Sequence, residues 1–123
     1  MTLLNSTVTG HRFRLGKTVI TRAALAYCEE HDIDYVSLII RHANGDFGIV
    51  GHVDNAQLTR AERQHGAFMT DDGLKLNAVA IESLQGMVMS IYPSPESPDS
   101  KIWIQTILAD EETYTTILMP SDY

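Results

Sequence analysis

The stretch "KIWIQTILADEETYTTILMP", from Lys101 to Pro120, decides the fold class. Ile102, Ile104 and Leu108 fall on one alternating set of positions, which is the pattern of a strand with one buried face. "DEE" is a short polar connection, and the following "TYTTILM" is rich in residues that favour strands. Because short loops join neighbouring antiparallel strands, the stretch predicts the last two strands of an antiparallel sheet.

The preceding segment supplies a further strand and a loop. "MVMSIY", residues 87–92, reads as a strand, and "PSPESPDS", residues 93–100, contains three prolines and reads as a loop. On the strand "KIWIQ", Trp103 points away from Ile102 and Ile104. Two interpretations stay open for Trp103, which are packing under the helices and presentation at an interface.

The chain before these strands is predicted to be helical. Thr21 and Asp34 are N-cap residues ahead of "RAALAYCEEH" and "YVSLIIRHA", and Asn44-Gly45 is a helix C-cap. Further helices are expected from Asp54 and from Asp72. Apolar residues share a helical face in two places, which are Val36, Ile39 and Ile40 in one helix and Leu76, Val79, Ala80 and Leu84 in another.

These elements predict one α+β domain over residues 1–123. Three or four helices are followed by a three-stranded antiparallel β-meander. "TVI", residues 18–20, is a candidate for an added N-terminal strand.

Charge is unevenly distributed along the chain. Residues 1–28 carry Arg12, Arg14, Lys17 and Arg22 and no acid, whereas residues 29–123 carry all 16 acids and five basic residues, for a net charge of −7. A surface that follows the phosphates of DNA or RNA needs clustered Lys and Arg. The acidic body argues against direct nucleic-acid binding, and the basic N-terminal arm is left as the alternative.

Composition also bounds location and cofactor chemistry. Cys28 is the only cysteine, so the chain forms no intrachain disulfide and no thiolate cluster. No run approaches the roughly 18 apolar residues of a membrane span. The opening residues lack the apolar core and cleavage site of a signal peptide. We therefore expect a cytoplasmic protein that has no cofactor and does not bind membranes.

The stretch "RHANGDFG", Arg41 to Gly48, shares three letters with the metal-binding Asp-Phe-Gly of protein kinases. The kinase interpretation fails because the glycine-rich loop, the strand lysine and the His-Arg-Asp loop are missing from the sequence. We interpret the stretch as a structural motif that ends a helix, with Asp46 as a turn or capping acid and Phe47 as a core residue. Its residues are Asn44, Gly45, Asp46, Phe47 and Gly48.

The best metal-binding constellation in the sequence is His42, Asp46, His52 and Asp54. A metal site needs several donors that converge on one point, and no histidine pair here has the i, i+4 spacing of a zinc helix. Ordinary loop and helix-end histidines are the competing interpretation. We predict no metal site and no catalytic residue, because the sequence also lacks a GxSxG nucleophile elbow.

Several motifs together resemble a known family. They are "FRLGKTVITRAAL", "RHANGDFG", a helix containing Asn77, "SIY" and "KIWIQTILADEETYTTILMPSDY". In this order they are similar to small proteins of plasmids and integrative elements, often labelled plasmid-related protein or type I restriction endonuclease subunit M. The sequence has no methyltransferase motif, so the restriction label does not transfer.

The chain departs from that family in three places. Phe47 stands where the family usually has Trp, and about twenty residues between Gly48 and Thr70 look inserted. The acids Asp110, Glu111 and Glu112 stand in a segment where the family carries an Arg.

The resemblance implies carriage on a mobile element and supplies no reaction. We therefore expect a non-enzymatic accessory protein that binds a protein partner, with inhibition of host restriction or CRISPR defence as the sharpest form of this hypothesis. The candidate contacts are Asp110, Glu111, Glu112 and Trp103. A DNA-associated regulator of plasmid maintenance that uses the basic arm, or a metal-dependent enzyme, is the alternative, and a homodimer is left open.

Overall fold

The computed structural model describes residues 2–4, 13–48, 71–93, 101–109 and 112–122. Within these ranges the chain forms five strands, three α-helices and one 3₁₀ helix. In chain order they are β1 (Thr2–Leu4), β2 (Lys17–Ile20), α1 (Arg22–Glu30), α2 (Tyr35–Ala43), α3 (Asp71–Ser83), β3 (Gly86–Pro93), β4 (Lys101–Leu108), β5 (Tyr114–Leu118) and the 3₁₀ helix Pro120–Asp122. The helix predicted from Asp54 lies outside the described residues.

The α+β class is confirmed, but the sheet is larger than the predicted meander and is mixed. Its strand order is β1-β2-β5-β4-β3. β3, β4 and β5 are antiparallel neighbours, as predicted. β2 pairs with β5 in parallel, and β1 pairs with β2 antiparallel. The prediction of a purely antiparallel sheet was therefore wrong. The helices that separate β2 from β5 in sequence give a connection long enough for the two strands to run in parallel.

Side-chain caps fix the starts of the first two helices. The Thr21 hydroxyl accepts a hydrogen bond from the Ala24 N–H at 3.1 Å, and Asp34 accepts from Val36 and Ser37. These bonds satisfy backbone donors that a helix leaves unpaired at its first turn. Both predicted N-caps are confirmed.

The two faces of the sheet are packed differently. The first face carries the main core, to which α1 and α2 contribute Ala24, Cys28, Ile39 and Ala43. The predicted alternation in β4 is confirmed, because Ile102, Ile104 and Leu108 are all buried in this core. A second, smaller cluster lies on the opposite face.

Two predicted apolar helix faces are not the buried ones. On α2, Ile39 is buried, but Val36 and Ile40 are exposed. On α3, Leu76 and Val79 are exposed, as is Leu84 just beyond the helix; the buried positions are Asn77 and Ala80. The choice of face is made by contacts with the sheet, and these contacts favour two polar side chains, His42 on α2 and Asn77 on α3.

None of the helices in the described ranges is long and apolar enough to cross a membrane.

Candidate functional site

The "RHANGDFG" stretch forms the C-terminal end of α2 and a turn. Asn44 is the C-cap and Gly45 has a φ of +87°, a conformation that glycine adopts without steric cost. The Asp46 carboxylate accepts a hydrogen bond from the Gly48 N–H at 3.2 Å and forms an ion pair with Arg41 at 2.7 Å. Because the Arg41 guanidinium donates to it, the pKa of Asp46 lies below its ordinary value. The acid therefore holds the turn.

The same turn brings the backbone against the edge strand β3. The Ile91 N–H donates to the Phe47 carbonyl at 3.0 Å, and Gly48 forms a parallel bridge with Ile91. A Cβ on Gly48 would lie 1.8 Å from the Ile91 carbonyl oxygen, and the φ of Gly48 is +87°. Only glycine fits this close approach. The Phe47 side chain is half-buried and packs against both apolar clusters.

His42 lies at the centre of a chain of buried hydrogen bonds. Its Nδ1 is 2.5 Å from the Ser90 hydroxyl, and its Nε2 is 2.9 Å from the Thr106 hydroxyl. Thr106 is 2.8 Å from Thr115, whose hydroxyl donates to the Leu15 carbonyl at 2.7 Å. The chain joins α2 to the three strands β3, β4 and β5 and to the segment ahead of β2.

The direction of these hydrogen bonds follows from the carbonyl at one end. Thr115 has one proton and gives it to the Leu15 carbonyl, so Thr115 accepts from Thr106. Thr106 has then used its own proton and accepts from the Nε2–H of His42. The neutral imidazole is left with an unprotonated Nδ1, which accepts from Ser90. Every proton in this series of buried hydrogen bonds therefore has an assigned position.

Burial keeps this histidine neutral. His42 has no exposed surface, and desolvation lowers its pKa from 6.5 to about 3. Both ring nitrogens are occupied by hydroxyl partners, so neither is directed at Asp46, which is exposed on the turn. The geometry does not support a metal site built on His42 and Asp46. No group of three or more His, Cys, Asp or Glu in the described parts of the chain is placed to hold a metal ion; His52 and Asp54 lie outside them.

Tyr92 connects the "SIY" segment to the turn. Its hydroxyl donates to the Asp46 carbonyl at 2.5 Å, and the Arg41 guanidinium lies 4.6 Å from its ring centroid. Burial raises the pKa of Tyr92 to about 12, so the hydroxyl stays protonated and remains a donor. The Ser and Tyr of "SIY" thus bond to the His and Asp of "RHANGDFG", and these two motifs of the resemblance meet in space.

Asn77 fixes α3 against the outer edge of β3. Its side-chain amide donates to the Met89 carbonyl at 2.8 Å, and its Oδ1 accepts from the Met89 N–H at 3.0 Å. The Asn77 side chain therefore bonds to the Met89 backbone as a neighbouring strand would. The backbone carbonyl of Phe47 does the same for the Ile91 N–H. An unpaired edge strand invites pairing with other chains, and here the protein's own residues occupy this part of it.

The second face of the sheet is buried at one end. Ile91, Trp103 and Leu118 are cross-strand neighbours and form the smaller cluster, with Leu74 and Phe47 packed against it. Trp103 is only 6% exposed. The ring is packed and is not presented to solvent, but it lies on the face opposite α1 and α2, where α3 contributes Leu74; the isoleucines, not Trp103, lie under the first two helices.

The same face opens toward the turn between β4 and β5. Met87 pairs with Ile107, and Ile107 pairs with Tyr114, so the three side chains form one row across β3, β4 and β5. Met87 is 40% exposed and Tyr114 is 43% exposed. We call this row the open face. Half-buried residues separate it from the buried end: Met89, Gln105 and Thr116.

One of the predicted acidic contacts lies beside the open face. Glu112 is exposed and lies two residues before Tyr114. Asp110 and Glu111 fall outside the described residues. Lys17, from the basic arm, is exposed and pairs with Tyr114 across β2 and β5. Arg14 of the same arm donates to the Ala109 carbonyl at 3.2 Å and to Thr113 at 2.8 Å, so it is used within the chain.

The hydroxyl residues of the buried chain were not predicted as a group. A signal for them exists in the sequence, because Thr106 alternates with Ile104 and Leu108 and must share their apolar face. A polar residue on such a face requires a buried hydrogen-bond partner. His42 was singled out, but as a helix-end or metal-binding residue. Its actual partners are distant in sequence.

Comparisons with protein-family models, curated proteins and solved structures gave no match to this chain. The resemblance to proteins of plasmids and integrative elements therefore stays a prediction from sequence.

Proposed function

We propose that this protein is a non-enzymatic accessory protein of a mobile element that acts by binding a protein partner, and that the partner belongs to the host's restriction or CRISPR defence. One observation carries the binding role. Tyr114 and Glu112 are exposed close together where β5 begins. Tyrosine combines a large apolar area with a polar group, and it is enriched among the residues that dominate protein interfaces.

The resemblance motifs have a supporting role in this proposal. Four polar side chains form hydrogen bonds with one another inside the fold: His42, Ser90, Thr106 and Thr115. They hold α2 against β3, β4 and β5, and so fix the strands that carry the exposed residues. We assign these motifs to the scaffold and the binding role to the end of the sheet next to the β4–β5 turn.

The defence component of the proposal rests on charge and on the resemblance. The chain has a net charge of −7, and its three adjacent acids, Asp110, Glu111 and Glu112, precede β5. Proteins that cut or modify DNA present basic surfaces to the phosphates. An acidic protein can occupy such a surface through complementary charge.

The alternative role as a DNA-associated regulator is less well supported. It requires the basic arm to face nucleic acid, whereas Arg14 already bonds to Ala109 and Thr113. A filter-binding assay at low salt separates the two roles, since arm-driven binding to DNA must fall steeply as salt rises. We expect no retention of DNA.

The proposal is tested by plasmid establishment in host strains that carry an active type I restriction or CRISPR system. Expression of the protein should raise the efficiency of establishment in at least one such strain, and a triple charge reversal at Asp110, Glu111 and Glu112 should abolish the effect. A strain without the defence system is the control. Equal establishment with and without the protein in every strain would refute the defence role.

A further inference from the structure

Met87 presents its side chain at the surface, on the edge strand β3. Of the methionines in the described ranges, only Met87 is exposed. Met89 and Met119 are half-buried, and they pack against the smaller cluster and the main core, respectively. An oxidant must reach the sulfur atom itself, so exposure decides which thioether reacts. The described part of the chain therefore has one methionine that is open to oxidants from solvent.

A side-chain contact distinguishes the two sides of this sulfur. The Gln105 amide donates a hydrogen bond from Nε2 to the Met87 Sδ at 2.6 Å. A thioether has no proton to donate, so the amide must present its N–H, and not its oxygen, to the sulfur. Gln105 is the diagonal neighbour of Met87, because Met87 pairs with Ile107 and Met89 pairs with Gln105. The strand register thus fixes the side of the sulfur that the amide occupies.

Oxidation of a thioether creates a new stereocentre at the sulfur. A sulfur lone pair attacks one oxygen of hydrogen peroxide and the O–O bond breaks. The proton of the transferred hydroxyl passes to the departing hydroxide, which leaves as water. The thioether loses two electrons and the peroxide gains them. Attack through one or the other of the two sulfur lone pairs gives opposite sulfoxide epimers. In Met87 the N–H of Gln105 occupies one lone pair, so only the other is free to react.

We propose that Met87 is a reversible oxidation site, at which hydroperoxides add oxygen to the lone pair that Gln105 leaves free and form one sulfoxide epimer. The site is independent of the proposed function. The product is polar and chiral, and it stands at the end of the open face beside Ile107. Because the modified side chain is exposed, methionine sulfoxide reductases reach it, and reduction restores the apolar thioether.

The first measurement compares oxidation rates within one molecule. The full-length folded protein is treated with hydrogen peroxide, and peptide mass spectrometry follows each methionine separately. We expect Met87 to be oxidised at least about fivefold faster than Met89 and Met119, which are the internal controls. Equal rates at the three positions would overturn the site.

The second measurement reads the stereochemistry and the reversibility. Methionine sulfoxide reductases of the A type and the B type each reduce one epimer. Applied to the digested peptides, where folding does not bias access, one type should remove at least about four times as much Met87 sulfoxide as the other. The same type should restore the unmodified mass of Met87 in the intact protein. Failure of this repair would overturn the reversibility of the site.

Two variants of Gln105 test what directs the oxygen. Gln105→Leu keeps the size of the side chain and removes the donor, so the two epimers should form in about equal amounts. Gln105→Glu has the same shape and no N–H at neutral pH, and it should behave in the same way. Circular dichroism shows which variants are folded.

Thr116→Val is the matched control. Thr116 is half-buried on the same face and pairs with Gln105 on the side away from Met87. This variant should keep the wild-type excess of one epimer. Nearly equal epimers in the wild type would overturn the directing role of Gln105, as would a wild-type excess in a folded variant that lacks the Gln105 donor.

Discussion

Lowering the pH from about 7 to about 5 should destabilise the folded protein through His42. The unfolded chain binds a proton on this histidine below its ordinary pKa of 6.5, whereas the folded protein holds the pKa at about 3. Between these two values the unfolded state carries more protons, so stability falls as the pH falls. At about 1.4 kcal/mol per unit, the loss between pH 7 and pH 5 is about 2 kcal/mol from this one group.

The assay is urea unfolding, followed by the fluorescence of Trp103, at both pH values. His42→Gln keeps a polar side chain that does not titrate, so its loss of stability over the same range should be smaller than that of the wild type by about 2 kcal/mol. The comparison uses the change with pH in each protein, because the substitution itself also disturbs the bonds to Ser90 and Thr106. Carboxylates that titrate in the same range contribute to both proteins and cancel.

His31→Gln is the matched control, because His31 lies outside the buried chain and the variant keeps His42. It should retain the contribution from His42. Equal losses in the wild type and His42→Gln would refute the assignment of a neutral, buried His42. A larger loss in His42→Gln would reverse the sign of the argument and would require a histidine that is charged in the folded state.

Three further substitutions test the packing along the edge of β3 and in the smaller cluster. Asn77→Ala leaves the backbone of Met89 without its partners and should cost about 1–3 kcal/mol in urea unfolding, with more association at high protein concentration because the strand edge is freed. Gly48→Ala should lower the melting temperature, since the positive φ alone costs about 1–3 kcal/mol and the new methyl group meets the Ile91 carbonyl. Trp103→Ala should cost about 3–5 kcal/mol by emptying the smaller cluster.

The Asn77 prediction has a direct control on the same helix. Ala78→Ser changes an exposed position beside Asn77 and should stay within about 0.5 kcal/mol of the wild type. A similarly small loss for Asn77→Ala would show that its two hydrogen bonds to Met89 add nothing. An unchanged melting temperature for Gly48→Ala would contradict the close approach to β3. Wild-type stability in Trp103→Ala would mean that the ring is not packed.

Local signals predicted much of the secondary structure. Thr21 and Asp34 cap their helices because a capping side chain acts on backbone donors two or three residues away, and this relation is visible in the sequence. The alternation of Ile102, Ile104 and Leu108 identified β4 for a similar reason. The parallel pairing of β2 with β5 was not predicted, because no local pattern specifies which distant strand becomes a neighbour.

The polar side chains of the core explain the remaining errors. Apolar periodicity suggested that Val36 and Ile40 share the buried face of Ile39. Instead, α2 directs His42 toward the sheet, where its ring bonds to two buried hydroxyl groups. On α3, Asn77 takes the buried position because it can satisfy the backbone of an edge strand. A rule that places polar residues outside fails where the interior supplies hydrogen bonds.

The position of β5 has a consequence for how the chain folds during synthesis. β5 is the last of the described strands in sequence, yet it lies between β2 and β4 in the middle of the sheet. During synthesis β2 and the helices emerge from the ribosome long before residues 114–118. Until those residues emerge, β2 has no parallel neighbour to pair with. Contacts between such distant segments form slowly because a long loop must close first. The nascent chain therefore completes its sheet late. A product truncated before Tyr114 would contain the pairs β1–β2 and β3–β4 but would lack the strand that joins them.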